Sequence, residues 1–175
     1  ILSNEPCPNN IPLLEPKQVD VVDLELTLFF DLPGAIALAF LDAENGFVAE
    51  RNGLVYAFDS EGVLAEPVID ITSDTSNEMD QGLLGLAISP DKNWLYLNRT
   101  DLRGSSVVTA HSLQLGMSNP GTGVEIIVVD QPSAMHNGGD LAFDSEGRLF
   151  VSFGDGGGLG DPNGHSQDLS TPLGA

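Results

Sequence analysis

The chain has 175 residues, 41% of them apolar, with 26 acidic and 6 basic side chains and a formal charge of −20. That is enough apolar material for one core, while the charge repels phosphate backbones and anionic bilayers and so argues against nucleic acid as a partner. No apolar run reaches the ~20 residues a membrane-spanning helix needs, and the carboxylates are oxygen ligands suited to hard cations such as calcium.

Residues 1–18 are rich in Pro and Asn and read as an extended lead-in. The first residue is Ile1 rather than Met, which suggests a processed or trimmed product. The single cysteine, Cys7, lies in this lead-in; a free thiol and a bond to another chain both stay open. Residues 19–30, "VDVVDLELTLFF", alternate apolar and acidic positions apart from a slip at Val22–Asp23. Period two predicts a half-buried strand there. No later segment has a capped helical period. Short β-branched and aromatic runs alternate with Gly, Asp, Asn and Ser, so the expected class is all-β.

The chain then repeats itself. "IALAFLDAENGFVAERNGLVYAFDSEG", "LLGLAISPDKNWLYLNRT" and "GGDLAFDSEGRLFVSFGDGG" each give a Leu-Ala strand, a polar turn and a second apolar strand. The anchoring alanines Ala39, Ala87 and Ala142 recur roughly fifty residues apart, the size of a four-stranded propeller blade. The "DSEG" turns at 59–62 and 144–147 suit this, because Gly62 and Gly147 accept positive φ cheaply. A solenoid of stacked hairpins is the competing reading. Residues 19–175 are therefore expected to form a partial β-propeller domain of about three blades. An open arc of blades exposes its end faces, so the chain reads as truncated, or as completed by another chain.

In a propeller the entrances of the innermost strands surround the channel. Three entrances are legible: "DLPGAIALAF", "SNEMDQGLLGLAISP" and "SAMHNGGDLAF". This places Gln81 and His136 near one end of one channel. His136 suits a general base, since imidazole titrates near neutrality. Asn137 and the glycines Gly138 and Gly139 would let a flat ligand approach the backbone. A histidine merely hydrogen-bonded in a turn is the plainer alternative. His111 falls in a strand-like run and reads as structural or exposed, and His165 falls in a loop. The glycine cluster "GDGGGLGDPNG" lacks the lysine of a phosphate loop. Its Asp155 and Asp161 could hold calcium with loop carbonyls, or simply face water; Asp74, Glu78 and Asp80 form a second, weaker acidic loop. There is no Gly-x-Ser-x-Gly elbow and no His/Cys group with zinc spacing.

At "LPGAIALAF", "FVAERNGLVYAFD", "QGLLGLAISPD", "HNGGDLAFDSEGRLFVSFGDGG" and "GDPNGHSQDLSTPLG" the chain resembles the glucose/sorbosone dehydrogenases, or soluble aldose sugar dehydrogenases, across roughly residues 32–174. Relatives of that family include the propeller of the Hedgehog-interacting protein. The resemblance implies a six-bladed propeller carrying pyrroloquinoline quinone (PQQ) over its channel, with calcium as a frequent companion. It implies oxidation of a small-molecule aldose at its anomeric carbon to a lactone, with electrons passed to an external acceptor. It also implies that His136 is the catalytic base, that Gln81, His136, Asn137 and Gly138 contribute to the cofactor site, and that the protein is extracellular or periplasmic. Arg51 matches a blade-one position and reads as structural. Two positions depart from the pattern: Met135 stands where some members have Asp, and Asp80 where some place the glutamine. The alternatives are a non-catalytic extracellular recognition module and, more weakly, a metal-dependent lactone hydrolase.

Overall fold

A computed structural model of the protein describes residues 25–174. The described residues contain no α-helix and only one short 3-10 turn, Thr72–Asp74. The strands are β1 (Ala35–Phe40), β2 (Gly46–Glu50), β3 (Leu54–Asp59), β4 (Gly62–Val63), β5 (Ile69–Asp70), β6 (Leu83–Ile88), β7 (Trp94–Thr100), β8 (Ser106–Ser112), β9 (Val124–Val129), β10 (Gly138–Phe143) and β11 (Leu149–Phe153). They form three antiparallel sheets. The first runs β1-β2-β3, with β4 and β5 dividing the outer edge of β3 between them; the second runs β6-β7-β8-β9; the third is the pair β10-β11. This is the meander of successive propeller blades.

The three units are equivalent in detail. Ala39, Ala87 and Ala142 each occupy the fifth position of a first strand. Each first strand also carries a register irregularity near its start, between Ala35 and Ala37, Leu83 and Gly85, and Gly138 and Leu141. The turns closing the three inner hairpins share one device. Asp42 accepts the N–H groups of Glu44 and Asn45, Asp91 accepts those of Asn93 and the Ser89 hydroxyl, and Asp144 accepts those of Glu146 and Arg148. These bonds hold all three carboxyls below the usual carboxylate range. The two "DSEG" turns, by contrast, are not equivalent: the first joins β3 to β4 and the second joins β10 to β11. Gly62 and Gly147 do adopt positive φ, 135° and 79°.

Packing is between neighbouring sheets. β6 lies between β1 and β10, and its apolar residues divide between two cores. Leu83 and Leu86 join Phe47, Ala49, Val55, Ala57, Leu95 and Leu97 against the first sheet. Ala87 joins Val108 and Leu141 against the third. β1 and β10 keep period two: Ala37, Ala39 and Leu141 pack inward, while Ile36, Leu38 and Phe40 on β1 stay exposed. The backbones of β6 and β10 approach so closely that a Cβ on Gly85 would lie 2.2 Å from the carbonyl oxygen of Gly139.

The strand expected over residues 19–30 is not found where it can be judged. Residues 19–24 lie outside the described residues, and 25–30 form no strand, with Leu26 96% exposed. Aromatic packing takes the place of pairing: the rings of Phe29 and Phe30 lie 6.0 and 5.7 Å from that of Phe58, which Phe40 also meets edge-on. Residues 1–18, expected as a lead-in, also lie outside the described residues.

His111 is buried inside the second sheet. Its Nδ1–H donates to the carbonyl of Gly121, and its Nε2 accepts from the Thr109 hydroxyl. Burial is the largest influence and lowers its pKa, against an upward pull from the Gly121 bond. The unfolded chain therefore binds this proton first, so the contribution of His111 is complete above the unfolded value of ~6.5 and is lost as pH falls below it. Thermal melts from pH 7.5 to 5 should show the wild type losing more stability than His111→Gln; parallel curves would contradict this. Replacing Gly85 with Ala should cost about 1–3 kcal/mol, because overpacked backbone must move, which denaturant titration will measure.

Candidate functional site

One end of the sheets gathers the residues singled out by sequence. It is marked by the pairs Ala35 with Glu50, Leu83 with Arg99 and Gly138 with Phe153, where first strands begin. The sheets are stitched together here by backbone bonds. Leu83 N–H donates to the Arg51 carbonyl at 2.8 Å, and Asp80 N–H donates to the Ala134 carbonyl at 3.1 Å.

His136 sits at this end with left-handed backbone, φ 59°. Such a conformation is strained for a residue with a side chain and needs external support. Its carbonyl accepts from Gly156 N–H at 3.2 Å, and its N–H donates to Asp80 Oδ2 at 2.8 Å. The imidazole Nδ1 lies 3.0 Å from Asp155 Oδ1, and the ring side chain is 37% exposed. Asp155 also accepts from Gly157 N–H and the Ser166 hydroxyl. The Gly157 bond leads in holding its carboxyl below the ordinary range, with Ser166 and His136 adding to it. An ionised carboxylate can only accept, so Nδ1 carries a proton, and in the neutral ring it is Nε2 that holds the free lone pair. The pair therefore presents an oriented imidazole base to solvent.

The loop after β11 makes this possible. Asp161 accepts the N–H groups of His165 and Ser166, His165 Nδ1 donates to the Asp155 carbonyl, and Gly174 N–H returns to the Gly154 carbonyl at 2.9 Å. Gly154 must lack a side chain, since a Cβ there would lie 1.8 Å from the His136 carbonyl oxygen.

The other expected residues fall differently. Gln81 is 4% exposed, and its Oε1 accepts from the Ser76 hydroxyl. Its carboxamide is bonded within the loop before β6, and the adjacent Asp80 is the residue that bonds to His136. Asn137 is 1% exposed and donates through Nδ2 to the Ser133 carbonyl, while its Oδ1 is buried without a partner. It pins the loop beneath His136. Gly138 is exposed with φ 73°, and a Cβ there would meet Gly154 N at 2.6 Å. Arg51 is structural, as its guanidinium donates to the carbonyls of Met79 and Gln81.

Residues 31–175 match the family model described as Glucose / Sorbosone dehydrogenase. The chain belongs to that family. Among solved structures it is similar to the PQQ-bound form of an aldose sugar dehydrogenase from Streptomyces coelicolor, at 21% identity and TM-score 0.72, covering 87% of this chain and 46% of that one. It is similar to a glucose dehydrogenase at 25% identity and TM-score 0.69, with coverages of 82% and 46%. A second glucose dehydrogenase gives 25% identity and TM-score 0.66, with coverages of 81% and 42%. The chain thus spans less than half the length of these structures. The sheets described above are part of a β-propeller of the sugar dehydrogenase type.

The cofactors implied by the family can be tested against these donors. An imidazole with its Nδ1 edge fixed, beside glycine backbone, fits the substrate side of a quinone site. The donors do not fit calcium. Both oxygens of Asp155 and of Asp161 are turned to protein donors, and among the described residues no group of three or more His, Cys, Asp or Glu could hold a metal. Asp155, expected as a metal ligand, instead orients His136. Sequence reasoning missed that role because a 19-residue separation carries no periodic signal. Asp80 was visible in a weaker acidic loop and as a departure from the family pattern, but not as a partner of His136.

Substituting Ala for Gly154 should push His136 out of place. The expected loss is about 1–3 kcal/mol of stability, with the His136 imidazole resonance shifted in NMR spectra; an unchanged resonance would contradict this geometry.

Proposed function

We propose that the protein oxidises an aldose at its anomeric carbon to the lactone, with PQQ as redox cofactor and an external electron acceptor. One observation carries the reading: His136, in the family's H-x-G-G element, has Nδ1 held 3.0 Å from Asp155 and its ring partly open to solvent. Family membership and the quinone bound by the Streptomyces coelicolor enzyme support it.

When bound, the quinone supplies a two-electron acceptor for the hydride that leaves the anomeric C–H. The chain's own residues handle the proton. Nε2 of His136 accepts it from the anomeric hydroxyl as the C–O bond becomes the lactone carbonyl. Asp155 keeps the ring in the tautomer that can do so and stabilises the imidazolium that results, without taking the proton itself. Gly138 and Gly139 lack side chains where a Cβ would meet the Phe153–Gly154 backbone and Leu84, which lets the strand that follows His136 pack closely. Resemblance to exported relatives supports an extracellular or periplasmic location; among the described residues no helix is long and apolar enough to cross a membrane.

A second reading, a recognition propeller without redox activity, is favoured by the exposed carboxylate of Asp80 against His136, because an acid there repels the carboxylates of PQQ. One assay separates them. Full-length protein supplied with PQQ should reduce an artificial dye in the presence of aldoses, and His136→Asn should lower the rate by at least about 100-fold. Absence of sugar-dependent reduction across common aldoses would leave the recognition module standing.

A further inference from the structure

We infer that Asp80 is the positioning residue for His136, acting through the backbone and across the boundary between the second and third sheets. This rests on the reading of His136 as the base. Asp80 and Ala134–His136 form a reciprocal pair: Asp80 N–H donates to the Ala134 carbonyl at 3.1 Å, and Asp80 Oδ2 accepts His136 N–H at 2.8 Å. Both partners carry strained backbone at this junction. Met79, just before Asp80, has φ 44°, and His136 has φ 59°. Neither conformation is favoured by its own side chain, so each must be imposed from outside.

The support comes from a third element. Arg51, at the turn between β2 and β3, donates through Nε to the Gln81 carbonyl at 2.8 Å and through its guanidinium to the Met79 carbonyl. It grips the loop on both sides of Asp80. Arg51 therefore fixes the 79–81 loop, Asp80 fixes the backbone of His136, and Asp155 fixes its ring. His136 is held at two points, backbone N–H and ring, by carboxylates from different parts of the chain, 56 and 19 residues away. A bond from an N–H to an ionised carboxylate is about twice as strong as a neutral one, which suits a contact that must hold a left-handed residue in place. Losing it frees His136 to relax to negative φ, which swings the ring away from Asp155 and misplaces Nε2.

The test uses Asp80→Ala and Asp80→Asn in the full-length protein. Asparagine keeps an oxygen that can accept the His136 N–H; alanine keeps none. The first readout is independent of cofactor and activity. The His136 amide proton should resonate downfield in the wild type, move upfield by about 1 ppm in Asp80→Ala, and lie between in Asp80→Asn, in step with hydrogen-bond strength. The second is kinetic. Asp80→Ala should lower kcat by about 10- to 100-fold with KM changed by less than about 3-fold, since a base is misplaced while sugar binding is kept. Asp80→Asn should recover most of kcat. An unmoved amide resonance in Asp80→Ala overturns the inference. A moved amide with unchanged kcat upholds the hydrogen bond but overturns the positioning role of Asp80, whereas failure of the base reading itself shows as an unchanged rate in His136→Asn. If Asp80→Ala does not fold, hydrogen exchange of the wild-type His136 amide decides: protection supports the linkage, and exchange at the rate of an unstructured peptide overturns it.

Discussion

The structure depends on the lateral contact between first strands. β6 has no free face: its residues divide between a core shared with the first sheet and another shared with the third. The contact with β10 is close enough that Gly85 and Gly139 meet backbone to backbone. Every residue of the candidate site hangs from this junction. Asp80 sits three residues before β6, and His136 two residues before β10. If the two strands stood one side chain farther apart, the Asp80–His136 bond could not form and the imidazole would lose its backbone support.

The acidic composition acquires a local meaning in this setting. The carboxylates are chiefly hydrogen-bond acceptors for tight backbone. Asp42, Asp91 and Asp144 close the inner hairpins. Asp70 and Asp168 bond to Thr72 and Ser170, and Asp101 bonds to Ser105 and Arg103. Asp155 and Asp161 organise the loop behind His136. Each of these carboxyls is held below its ordinary range. The same bonding explains why Asp155 and Asp161 do not gather into a calcium site: protein donors take both oxygens of each. It also explains the dyad, because a carboxylate already anchored by Gly157 and Ser166 is a rigid partner for an imidazole.

The repeat was legible because blades are periodic. The Leu-Ala anchors, the polar turns and the glycines before β6 and β10 recur with the unit, and the sheets follow them. Over residues 25–30 the alternation misled, because it reports only that one face could be buried. Phe29 and Phe30 satisfied that demand against the ring of Phe58 without a pairing partner. Gln81 stands just before an inner strand, as its place in the sequence implied, but only the packed structure shows its carboxamide bonded to Ser76 and its neighbour Asp80 bonded to His136.

The amino-acid order by itself determined the all-β class, the three-unit period, the family, and His136 as the residue to watch. The class and the period follow from local periodicity, the family from the resemblance of its quoted motifs, and His136 from its place in glycine-rich backbone; none of these needs knowledge of distant contacts. Only the tertiary structure decided which carboxylates serve that histidine. Asp80 and Asp155 reach it from separate loops, one grasping the backbone and the other the ring, and their convergence depends on how two neighbouring sheets stand against each other. Hydrogen bonds across such separations leave no periodic trace in the chain, because the geometry that creates them exists only after the sheets have packed.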